Sequence, residues 1–127
     1  MSNDKAVKNR AFDFATVGFR PYVETKEFVT IGVIAQDAAT GEFDFSLLGA
    51  NERGRIAAMF PKLADNIYPE ARKQIQSNFE FVRAEKSDAS TFSSLLTPRE
   101  GVFCFPVRGR LLAPSMPDAL AALSEKF

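Results

Sequence analysis

The feature that most constrains the fold is a nearly continuous apolar stretch, EFVTIGVIAQ, at residues 27–36. Its β-branched residues favour a strand whose two faces are both covered. The turn residues of DAATGE follow, and FDFSLL at 43–48 then alternates apolar and polar side chains. Two such segments around a short turn predict a β-hairpin. A similar alternation predicts a preceding antiparallel strand at 12–22, with a bulge at Gly18.

The middle of the chain changes to a helical period. One apolar face is formed by Ile56, Met59, Phe60 and Leu63, and a second by Ala71, Ile75, Phe79 and Val82. The first set predicts a helix from Asn51, although Pro61 disfavours its C-terminal half. The second set predicts a helix that begins near Pro69, because proline suits the first helical position.

The C-terminal third adds one strand and one helix. Alternation predicts a strand from Gly101 to Val107, and the arginine–glycine–arginine sequence at 108–110 indicates a turn or a bulge. Ser115 and Pro117 are start signals for a last helix.

This order of elements predicts an α+β domain. We expect a mostly antiparallel sheet of about four to five strands, covered on one face by two to three helices. Residues 1–10 are polar and are expected to form a flexible tail, and residues 11–127 a single domain.

The composition excludes several kinds of chemistry. The chain has no histidine, which removes the imidazole acid–base and the usual zinc and iron ligand sets. Its single cysteine, Cys104, lies between two phenylalanines and is expected to be buried. Asp13 and Asp44 alternate with phenylalanines, which predicts solvated strand faces rather than a catalytic carboxylate pair. We therefore expect no enzyme, no metal and no cofactor.

The charges and the N-terminal sequence bear on the cellular location of the protein and on its partners. Sixteen basic and sixteen acidic residues leave no net charge, so nothing steers the chain strongly towards nucleic acid or an anionic membrane. No signal peptide, transit peptide or apolar spanning run is apparent, and one cysteine suits a reducing compartment. A cytoplasmic protein is the expectation.

Five arginines form the only constellation that favours a binding role: Arg99, Arg108, Arg110, Arg53 and Arg55. Guanidinium groups that meet at a sheet edge could bind phosphate, nucleic acid or an acidic protein surface. The alternative is an ordinary charged rim with acidic residues interspersed.

Two blocks of the sequence resemble a known family. KEFVTIGVIAQDAATGEFDFSLL carries Glu27, Phe28 and Gly32, and LLTPREGVFCFPVRGRLLAPSMPDALAALSEKF carries Pro98 and Arg99. Together they are similar to the uncharacterised bacterial domain-of-unknown-function family numbered 3037, from about residue 12 onwards. The family implies no established activity. The resemblance implies a partner or regulatory role, because family members are expected to be encoded beside or near HipA-like kinases. PVRGRLL lacks a histidine that many members carry.

The sequence thus predicts a small non-catalytic protein-interaction or regulatory module, with a protein partner that the resemblance suggests is a HipA-like kinase. Homo-oligomerisation is compatible with this expectation. One alternative is a nucleic-acid or phosphate binder that uses the arginines. Another is a phage or mobile-element inhibitor that binds a host protein.

Overall fold

A computed structural model describes residues 9–48, 53–85 and 102–127. The strands are β1 (Arg10–Phe19), β2 (Val29–Asp37), β3 (Phe43–Leu47), β4 (Phe103–Cys104) and β5 (Arg108–Ala113). The helices are α1 (Arg53–Met59), α2 (Ile67–Ala84) and α3 (Met116–Lys126), with one 3-10 turn at Val23–Thr25. The five strands form one antiparallel sheet, so the predicted α+β class is confirmed.

Strand β1 lies in the middle of the sheet. It pairs with β2 along one edge, and with β4 and then β5 along the other, while β3 is the outer neighbour of β2. The register with β2 shifts between Val17 and Gly18, but the extra residue is Ile31 of β2, so the bulge lies across from Gly18 rather than at it. A Cβ at Gly18 would lie 2.8 Å from the Cys104 sulfur, so this close approach of β4 requires a glycine.

The helices are divided between the two faces of the sheet rather than gathered on one. The face that carries Val17, Phe19 and Ile34 packs against α1 and α2. The face that carries Phe12, Val33 and Ala35 packs against α3. The division follows from the strands themselves, because β1 and β2 are apolar on both faces and each face must be covered.

The helix boundaries follow local signals. Helix α1 ends at Met59, before Pro61, as the proline requires. Helix α2 begins at Ile67, two residues before Pro69, and buries Phe79 while Phe81 is exposed. Helix α3 is capped as predicted: the Ser115 hydroxyl accepts a hydrogen bond from the Asp118 N–H at 3.3 Å.

A buried carboxylate fastens the turn after β2. The side chain of Asp37 is fully buried, and its Oδ1 accepts hydrogen bonds from the N–H groups of Ala39 at 2.8 Å and Thr40 at 3.1 Å. Its Oδ2 lies 3.1 Å from Nε of Arg10, in an ion pair rather than an aligned hydrogen bond. Arg10, which the sequence assigns to the tail, is therefore the first residue of β1. Residues 1–8 of the predicted tail lie outside the described residues.

Among the described residues, no helix has the length and apolar character needed to cross a lipid bilayer.

Two glycines offer a matched test of the packing between β2 and β3. A Cβ at Gly32 would lie 2.3 Å from the carbonyl oxygen of Ser46, whereas a Cβ at Gly54 in α1 would meet nothing within 4 Å. We expect Gly32→Ala to lower the free energy of unfolding by about 1–3 kcal/mol. Gly54→Ala should leave it unchanged or raise it by up to about 1 kcal/mol. Urea unfolding of both variants measures the difference, and equal values would contradict the assigned contact.

The buried Asp37 gives a second prediction. Asp37→Ala removes the acceptor for two turn N–H groups together with the Arg10 ion pair, and should cost about 2–4 kcal/mol of unfolding free energy. Asp37→Asn keeps a side-chain oxygen in the turn and should cost less. Chemical denaturation of the two variants ranks them, and an asparagine variant as unstable as the alanine variant would show that the turn bonds contribute little.

Candidate functional site

The candidate site is the outer strand β5, which the sequence analysis partly assigned to a turn. Strand pairing is interrupted at residues 105–107 around Pro106, which has no N–H to donate, and resumes from Arg108 to Ala113. Gly109 is needed there for packing rather than for turning, because a Cβ would lie 3.0 Å from the ring of Phe14. The prediction of a turn or a bulge at 108–110 is wrong for this reason: the three residues belong to the strand, in unbroken register with β1.

A hydrogen bond at the start of β5 determines which of its backbone groups face β1. The Thr16 N–H donates to the Val107 carbonyl at 2.9 Å. Because bonding alternates along an antiparallel ladder, the backbone groups of Gly109 are directed towards β1 and those of Arg110 and Leu112 away from it. Strand β5 therefore presents part of its backbone at the edge of the sheet.

Arg108 and Arg110 extend from one face of this strand, two residues apart. Arg110 forms a two-pronged contact with Asp13, with Nε 2.7 Å from Oδ1 and Nη2 3.3 Å from Oδ2. Its side chain is 60% exposed, and the hydrogen bond and charge of Asp13 raise the pKa of the guanidinium. Arg108 is exposed, and its Nε donates to the Phe105 carbonyl at 3.3 Å.

The positions of the other predicted arginines differ in how far the structure describes them. Arg99 lies outside the described residues. Arg53 is the first residue of α1. Arg55 donates from Nη1 to the Thr30 carbonyl of β2 at 3.3 Å, so β1 separates this contact from β5. The structure thus brings together Arg108 and Arg110 alone among the described members.

Arg55 lines a cleft beside the start of β2. The cleft has a volume of about 200 Å³ and is also lined by Ser46, Ser124 and Phe127. Residues 49–52 lie outside the described residues, and α1 has only seven residues, so its dipole offers little attraction to an anion.

At the opposite edge of the sheet, a side chain of β3 bonds one outward N–H of its own strand. In β3 the backbone groups of Phe45 are directed away from β2, because the Asp37 N–H bonds to Glu42 and the Leu48 N–H to Ile31. Oδ1 of Asp44 turns back to accept the Phe45 N–H at 2.8 Å. Arg83 of α2 holds the same oxygen at 3.0 Å and lies over the Phe45 ring. This N–H is therefore already bonded and is not available to an added strand.

Cys104 is partly exposed rather than buried as expected, because β4 has only two residues and lies at the edge of the sheet. Its sulfur lies 3.7 Å from the Gly18 carbonyl oxygen. Burial raises the pKa of the Cys104 thiol, and the positive charge of Arg20 lowers it by less. A protonated thiol is a poor nucleophile. Within the described ranges, no three histidine, cysteine, aspartate or glutamate residues are grouped as metal ligands would be.

The family can be assigned at this point. A family model described as a protein of unknown function (DUF3037) matches residues 14–127. The chain belongs to the DUF3037 family. The match includes most of β1 and every later element, so the DUF3037 unit and the observed α+β fold coincide, and the resemblance seen in the sequence is confirmed. No curated protein and no solved structure matches the chain.

Sequence reasoning missed the two aspartates that organise the edges of this DUF3037 sheet. Asp13 and Asp44 are about one-third exposed, so the strand faces expected to be solvated are partly covered at these positions. They lie on opposite faces of the sheet. Asp13 accepts hydrogen bonds from the Arg110 side chain, and Asp44 accepts one from the outward Phe45 N–H of β3. Alternation alone could not have found these roles, because both depend on the register between strands that are distant in the sequence.

The thiol gives a prediction for this site. Since burial raises its pKa, Cys104 in the folded protein should react with iodoacetamide more slowly at neutral pH than in the unfolded chain. Arg20→Met removes the charge that favours the thiolate and should slow alkylation further. The two proteins should react alike in denaturant, which serves as the control. Faster alkylation of the folded protein than of the unfolded chain would show that the thiol is activated.

Proposed function

We propose that the chain is a non-catalytic protein-interaction module, acting in the cytoplasm, that binds a protein partner through β5. The observation that carries this proposal is the placement of Arg108 and Arg110 on one face of an exposed edge strand. Arginine is enriched at protein interfaces, where its planar fork binds carboxylates with two hydrogen bonds.

Asp13 prepares Arg110 for binding. Two hydrogen bonds fix the guanidinium before a partner arrives, which reduces the side-chain entropy lost on association. A guanidinium has five N–H donors, so the contact with Asp13 leaves donors that point to solvent. The side chain remains 60% exposed and is therefore both ordered and accessible.

Apolar side chains flank the arginines. Leu112, on the same face of β5, is 65% exposed, and Val107 at the start of the strand is 40% exposed. An interface commonly combines such apolar contacts with a few arginines. The combination supports a protein partner over nucleic acid, because a phosphate backbone offers little to an exposed leucine.

The family resemblance suggests a HipA-like kinase as the partner. A host protein bound by a phage or mobile-element inhibitor would use the same kind of surface, so the identity of the bound protein distinguishes these two roles.

Charge reversal tests the proposal. In affinity purification from the native host, Arg108→Glu/Arg110→Glu should retain the specific partner at least about tenfold less than wild type, because carboxylates would then face carboxylates. Lys62→Glu/Lys73→Glu is the matched control, since it changes the charge equally at two exposed positions away from β5. Mass spectrometry of the retained proteins gives the readout, and Arg99→Ala shows separately whether Arg99 contributes.

Equal recovery of the partner by wild type and the β5 variant would exclude the assigned surface. Retention that disappears after nuclease treatment would instead favour the nucleic-acid alternative.

A further inference from the structure

We infer that the partner binds β5 by adding a strand to the sheet, and that the added strand is an extended acidic segment. The inference rests on the proposed function and specifies the chemistry of the partner at the same surface.

The backbone supplies the first argument. Strand β5 pairs with β1 on one side only, and the N–H and C=O groups of Arg110 and Leu112 are directed away from that pairing. Outward-directed groups of this kind are a template for another strand, and they supply affinity whatever the side chains of that strand are.

A comparison of the outer strands β3 and β5 supplies the second argument. At β3, Asp44 already accepts the outward N–H of Phe45, and Arg83 holds the carboxylate in place. At β5 the nearby carboxylate of Asp13 is bonded to the side chain of Arg110, not to a backbone N–H. In β3 an outward N–H is therefore already bonded, whereas at β5 Asp13 leaves the outward N–H groups of Arg110 and Leu112 available in the described sheet.

The side chains identify the occupant. Alternation places Arg108, Arg110 and Leu112 on one face, so an added strand meets them with its own alternate residues. Carboxylates two residues apart would face the arginines, and an apolar residue would face Leu112. A second copy of β5 fits poorly, because its sequence RGRLLA contains no acidic residue to meet either arginine.

A selection from displayed random twelve-residue peptides tests this inference while the natural partner is still unidentified. The immobilised full chain should enrich peptides with acidic residues two positions apart and β-branched or apolar residues around them. No enrichment over the Arg108→Glu/Arg110→Glu variant, or enrichment of peptides without acidic residues, would overturn the inference. Dimerisation of the chain through β5, with no peptide retained, would also overturn it.

Backbone methylation of the best peptide separates strand addition from side-chain recognition. N-methyl groups on the alternate peptide residues whose N–H groups face β5 remove the donors that pair with it. They should weaken binding at least about tenfold. Methylation in the other phase should leave binding nearly unchanged. The protein is unaltered in both measurements, so a folding defect cannot produce the difference.

Two further readouts place the peptide on β5. Hydrogen exchange at the Arg110 and Leu112 amides should slow when the peptide is bound. Leu112→Pro, which removes one outward N–H, should weaken binding, whereas Leu112→Ala keeps that N–H and should weaken it less. Unchanged exchange at both amides would contradict strand addition.

The inference and the proposed function can fail separately. Suppose that charge reversal on β5 abolishes peptide binding but both patterns of N-methylation weaken it equally. That result would support the arginine surface and exclude strand addition. Loss of neither peptide nor partner on charge reversal would exclude both.

Discussion

Strand β1 has hydrogen-bonding partners along both of its edges and apolar neighbours on both of its faces, and the other elements are arranged around this constraint. Strand β2 occupies one edge, and β4 and β5 share the other. Because Val17 and Phe19 are fully buried on the face that α1 and α2 cover, and Phe12 on the face that α3 covers, neither face can be left to solvent. The described sheet therefore ends at β3 on one side and at β4 and β5 on the other, so a further strand can be added only at these edges.

The outer strands β3 and β5 limit unwanted pairing at their exposed edges in different ways. At β3 an aspartate bonds a backbone N–H of its own strand, and an arginine from α2 fixes it. At β5 the edge carries Pro106, Arg108 and Arg110, and charged residues and proline both discourage uncontrolled pairing of identical strands. The charged-rim interpretation and the binding interpretation are therefore compatible. Arginines that disfavour a second copy of the same basic strand also favour a partner strand that brings carboxylates.

Local patterns predicted the elements whose signals are complete within a few residues. The hairpin of β2 and β3 followed from a β-branched run, a turn and an alternating run, and the start of α3 from Ser115 and Pro117. Strand β5 was missed because a glycine between two arginines is typical of a turn. Gly109 is there because the ring of Phe14, from the far end of the chain, lies where a side chain would be. No local pattern contains that information.

By itself the sequence determined the α+β class, the family, the absence of imidazole chemistry and the arginine-rich character of the C-terminal strand region, because each depends on composition or short-range periodicity. Tertiary structure decided that the helices cover both faces, that Asp13 orders Arg110, and that Asp44 bonds an outward N–H of β3 while β5 is the proposed site of pairing. These outcomes depend on strand register and order. Register is set by the simultaneous packing of residues far apart in the chain, and a side chain's role at a sheet edge exists only once its neighbour across the sheet is known.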